Sequence, residues 1–156
     1  MSKIQTALLG GLFSGTLSAL PFVDAGNLCC CLWIVSGGAV AAYLLQQNQP
    51  GPIAPGDGAL VGLMAGVTSA LVYLVLSIPI ALILAPYQRE VLERLTPIFD
   101  EWPVSPLTYM SGPLGVFMRF MAQLFEGVVF STIGGLVGAA VVRRTPPPEP
   151  PGAIDI

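Results

Sequence analysis

Histidine does not occur in the 156 residues. Its absence removes the commonest general base near neutral pH and the commonest transition-metal ligand. Cysteine occurs only as the unbroken run Cys29, Cys30 and Cys31. There is no Cys-x-x-Cys and no second cluster to complete a four-thiolate zinc or iron–sulfur site. Adjacent cysteines also make no disulfide framework. Charge is scarce: Asp, Glu, Lys and Arg make up 10% of the chain, against about 25% in a soluble domain. The six Lys and Arg are scattered and give no electrostatic footprint for nucleic acid. No clustered acids and no nucleophile–base pair stand out. The chain reads as a non-enzyme without a cofactor.

What the sequence has in abundance is apolar length. Hydrophobic residues make up 54% and the mean hydropathy is +0.77, which leaves too few charges to cover a globular surface in water. Four apolar stretches run over about 6–23, 28–45, 59–85 and 115–142. A helix of about 18 or more such residues crosses a ~30 Å hydrocarbon core. The expected fold is an all-α membrane protein of four transmembrane helices within 1–144, followed by a Pro-rich disordered tail over 145–156. Lys3 ahead of an apolar run has the look of a signal peptide. The run is long for that role and glycine-rich, so it is read as a retained span.

The connections differ in kind. Pro21 and the Asp24-Ala25-Gly26-Asn27 run carry turn chemistry, which makes the first two spans a tight hairpin. Residues 50–58 hold three prolines and three further glycines and are expected to be a loop. In the third span Pro79 predicts a kink and Pro86 an end. Beyond it, 87–113 is expected to be a partly amphipathic loop, with Val91, Leu92 and Leu95 on one side and with Trp102 and Tyr109 suited to the membrane–water interface. Asp24 and Asp57 read as turn and cap residues. Lys3 and the Arg143-Arg144 pair lie at one side of a four-span chain, Arg89 and Arg94 at the other. The paired arginines directly at a span end favour both termini in the cytoplasm of a bacterial inner membrane.

The spans contain internal similarity. At an offset of 51, residues 11–20 fall on 62–71 with six of ten identical, and at an offset of 97 Gly37-Gly38-Ala39-Val40 falls on Gly134-Gly135-Leu136-Val137. This suggests two parallel repeats of a helical hairpin. Chance similarity among segments of low diversity is the competing reading. Glycines also recur every fourth residue: Gly11 and Gly15; Gly58, Gly62 and Gly66; Gly134 and Gly138. Such spacing clears one helix face and lets backbones approach closely. The face serves packing within one chain, or association with a second copy or another membrane protein.

Two polar features remain. Arg119, Gln123 and Glu126 line one face of the fourth apolar segment. Arg119 fits an interfacial residue. Glu126 fits a structural partner, or an ion-responsive carboxylate. The cysteine run sits at the start of the second span beside Trp33. Buried small apolar residues are the plain reading, with oxidation, lipid modification or metal chemistry as alternatives. On a helix three consecutive residues point ~100° apart and do not converge on one ion. Function therefore divides between a structural, accessory or self-associating membrane subunit, with the bilayer and membrane proteins as partners, and a small oligomeric channel or transporter using Glu126.

Overall fold

The computed structural model describes residues 1–20, 23, 25–28, 31–99 and 112–142. Within these the chain forms four long helices and one short one: α1 (Lys3–Ala19), α2 (Ala25–Leu28), α3 (Leu32–Gln47), α4 (Pro55–Phe99) and α5 (Gly112–Val141). Residues 100–111 with Trp102 and Tyr109, residues 145–156, the Arg143-Arg144 pair and Asp24 lie outside the described residues.

Local chemistry sets the ends. Ser2 caps α1 in a capping box: the Gln5 amide donates to Ser2 Oγ at 3.3 Å, and the Ser2 amide donates to Gln5 Oε1 at 2.9 Å. The helix therefore starts before the apolar run and stops at Leu20, which is extended ahead of Pro21. The second span begins later than expected. Cys31 adopts φ 50° and ψ 40°, a left-handed conformation that interrupts a helix, so α3 starts at Leu32 and carries none of the cysteines.

The third segment departs most from expectation. Pro55, Gly56, Asp57 and Gly58 belong to the first turn of α4 rather than to a loop. Proline is favoured at a first helical position, and an acid there complements the helix dipole. The helix then runs unbroken through Pro79, Pro86 and Pro97 to Phe99. Pro86 does not end it, and the expected loop over 87–99 is helical. At ~100° per residue these three prolines fall on nearly the same side of the helix.

The packing order around the bundle is α1, α3, α5, α4, with α3 and α4 also touching across the middle. The α1 and α4 helices run parallel, since Lys3 pairs with Asp57 and Gly15 packs on Ser69 and Val72. The α5 helix runs antiparallel to α4, from Gly127 on Gly66 to Ala139 on Gly58.

Composition is inverted relative to a soluble domain. The buried set is mostly small or polar, with Ala7, Ala41, Ala42, Ala65 and Ala139 together with Thr6, Ser14, Ser18, Ser69 and Ser131; Ile34, Leu45, Ile53 and Val61 are its larger apolar members. The outside is large and apolar, with Val75, Leu82, Ile83, Phe125 and Val141 each 68–78% exposed. An apolar exterior of this extent belongs in lipid. Two helical segments, Pro55–Leu84 and Leu114–Val141, are long and apolar enough to cross a bilayer. Only 12% and 33% of their most apolar windows are buried, unlike the core helices of a soluble protein.

Candidate functional site

The glycines form the interhelical seams. A Cβ on Gly127 would lie 2.7 Å from the Gly66 carbonyl oxygen, and one on Gly58 would lie 2.5 Å from the Gly135 oxygen. Gly62 abuts the Ser131 carbonyl in the same seam. Thus Gly58, Gly62 and Gly66 of α4 meet Gly127, Ser131, Gly135 and Ala139 of α5, four-residue steps against four-residue steps. Gly134 and Gly138 face α3 instead, at Val35 and at Ala39 and Ala42. Gly11 and Gly15 face α4, a Cβ on either falling 2.6 Å and 2.7 Å from the carbonyls of Ala65 and Ser69. Backbone against backbone at such range leaves no room for a methyl group.

The glycines matched between the two hairpins change roles. Gly11 and Gly15 face the other hairpin, whereas Gly62 and Gly66 face their own hairpin partner, α5. Gly37 faces its partner α1 but Gly134 faces α3; Gly38 faces α5 but Gly135 faces α4. One residue of helix is ~100° of rotation, and the sequence match aligns residues that point to different neighbours.

The polar trio on α5 is dispersed by the fold. Arg119 is exposed, Gln123 is 8% exposed, and Glu126 is half-buried and engaged in an interaction of its own. Gln123 precedes Gly127 by one turn and so lies on the face toward α4. Its Nε2 has no hydrogen-bond partner, and neither do the hydroxyls of Ser69 and Ser131. Arg119 and Val116 line a cleft with Tyr73, Leu74, Ser77 and Ile78 of α4. Of the cysteines, Cys29 and Cys30 lie outside the described residues, and Cys31 is half-buried ahead of α3.

Sequence reading missed the polar latch at the opposite end. Gln46, one residue beyond the expected second span, is 1% exposed. Its Nε2 donates to the Gly51 carbonyl at 2.9 Å, and its Oε1 accepts from the Ile53 amide at 2.9 Å. This one side chain satisfies two backbone groups of the α3–α4 connection, and Ile53 inserts beside it into the core. Lys3 Nζ lies 2.6 Å from Asp57 Oδ1, and the terminal amine donates to Asn48 Oδ1 at 3.2 Å. Gln46 and Gln47 follow the expected span 28–45 directly, and nothing in the sequence tells which of the two turns inward.

A family model of a transmembrane domain matches residues 4–144. The chain belongs to the MJ1491 transmembrane domain family. The match covers α1 through the end of α5 and stops ahead of the Pro-rich tail. With the apolar exterior of α4 and α5, it makes the chain a membrane protein in a lipid environment. No curated protein and no solved structure matches the chain.

Proposed function

We propose that this MJ1491-family domain is a non-enzymatic structural or accessory subunit of a membrane assembly, built from four spans. The observation that carries the reading is the closed interior. Along α4–α5 and α3–α5 the backbones approach until a single Cβ would collide with a neighbouring carbonyl or Cα. A conduit needs lining groups and space between helices, and within one chain that space is taken up by backbone. Glu126, the carboxylate a transporter would use, is already engaged.

The four-span arrangement is supported by geometry. The 17 residues of α1 and 16 of α3 rise ~25 Å at ~1.5 Å per residue, most of the way across a ~30 Å core. Both lie against α4 and α5. Ala139 packs on Gly58, next to the Asp57 that pairs with Lys3. The C-terminal end of α5 therefore shares a side with the amino terminus. The basic residues Lys3, Arg143 and Arg144 favour the cytoplasmic face of a bacterial inner membrane for that side.

Reconstitution tests the reading. Proteoliposomes containing the full chain are expected to show proton and ion flux equal to protein-free vesicles. Reproducible flux that Glu126→Gln abolishes would establish the transporter reading instead.

A further inference from the structure

The cleft between α4 and α5 at Arg119 is rich in donors and, among the described residues, has no acid in its lining. Arg119 has no ion pair or hydrogen bond among the described residues, and Tyr73 has no hydrogen bond there. Ser77 Oγ donates to the Leu74 carbonyl at 3.2 Å. One turn deeper on the same side of α5, the buried Gln123 Nε2 lacks an acceptor. Among the described residues no carboxylate lines the cleft; Glu126 lies two turns along α5. Unengaged N–H and O–H groups around a guanidinium in apolar surroundings call for an oxyanion, because leaving them bare in lipid is costly.

Its depth says which oxyanion. Lys3 and Asp57 mark one polar level of the bundle. Ser77 lies 20 residues along α4 from Asp57, and Arg119 lies 20 residues along α5 from Ala139, which packs at the Asp57 level. Each distance is ~30 Å at ~1.5 Å per residue, which matches the ~30 Å thickness of a hydrocarbon core. Ser77 and Arg119 thus lie one to two turns inside the far ends of the apolar segments, at Leu84 and Leu114, and the long Arg119 side chain can rise from there toward the lipid phosphates. Leu74 and the Tyr73 ring, which line the deeper side of the cleft, give an acyl chain an apolar wall.

We infer that this cleft binds the phosphate of an anionic phospholipid, with Arg119 as the charge partner and the Tyr73 hydroxyl as a neutral donor. Phosphate and guanidinium match in a two-point contact that an ammonium does not reproduce.

The test is native mass spectrometry of the purified full chain titrated with phosphatidylglycerol, phosphatidylcholine or inorganic phosphate. The wild-type chain is expected to retain phosphatidylglycerol over phosphatidylcholine by about tenfold, the equivalent of ~1.4 kcal/mol. Arg119→Gln is expected to abolish that preference, Arg119→Lys to keep part of it, and Lys3→Gln at the opposite end to leave it intact. Tyr73→Phe with Ser77→Ala supplies an independent variant if Arg119→Gln fails to fold, and is expected to weaken retention severalfold. Equal retention of both lipids, an Arg119→Gln chain that keeps its preference, or stoichiometric binding of inorganic phosphate without lipid would each overturn the proposal.

Discussion

Gly66 and Gly127 meet backbone to backbone, each occupying the place where the other's side chain would begin. Neither helix can rotate or retreat alone, because the same α5 face carries Ser131 and Gly135 against Gly62 and Gly58. The α4–α5 seam is therefore built on close backbone contact, as packing between lipid-embedded helices favours.

This contact separates two substitutions of the same kind on one helix. Gly66→Ala forces a methyl group into the Gly127 carbonyl and is expected to destabilise by about 1–3 kcal/mol, the range for overpacked cores. Gly56→Ala, ten residues earlier with open space around it, should be neutral or stabilising by up to ~1 kcal/mol from helix propensity. Thermal unfolding in one detergent reads both.

The Gln46 latch predicts an asymmetric response. Gln46→Leu leaves the Ile53 amide and the Gly51 carbonyl unpaired beside the core, at about 1–3 kcal/mol for each buried group. Gln46→Glu keeps the acceptor for Ile53 but sets an oxygen against the Gly51 carbonyl. Both variants should lose thermal stability, and the α3–α4 connection should become the first site of limited proteolysis.

The unpartnered hydroxyls predict the opposite. Ser131→Ala and Ser69→Ala remove buried groups that form no hydrogen bond, so each should fall within about 0.5 kcal/mol of wild type or above it. A large loss of melting temperature in Ser131→Ala would show that its hydroxyl is engaged.

Asp57→Asn tests the ion pair at the first polar level. The Lys3 and Asp57 side chains are 43% and 32% exposed, and solvent screens such a pair to at most about 1 kcal/mol. A small drop in melting temperature that shrinks with added salt is expected; an effect of several kcal/mol would place the pair in a much drier setting.

The sequence shows the two longest apolar helices plainly, because hydropathy over many residues outweighs local signals. It misplaces their ends for a physical reason. Proline breaks a helix in water, where the freed backbone finds solvent. In lipid an interrupted helix exposes several backbone groups at once, whereas continuing past Pro79 or Pro86 forgoes one donor each. The cysteines were drawn into the second span because hydropathy does not register the left-handed turn at Cys31. The four-residue glycine spacing marks clear faces, but not which neighbour each face meets; that follows from rotation about the helix, and one residue of shift changes the partner. Arg119, Gln123 and Glu126 were visible as one stripe, yet only their packing separates an exposed cation, a buried amide and a half-buried acid.

The account rests on the glycine seams being internal to one chain. Introducing Ile at Gly62 and Gly66 while measuring both melting temperature and particle mass in mild detergent tests this most directly. The predicted result is a large loss of melting temperature and of protease resistance at every protein concentration, with no folded smaller particle. A variant that melts like the wild type but runs as a smaller particle would show that the glycine face joins separate chains.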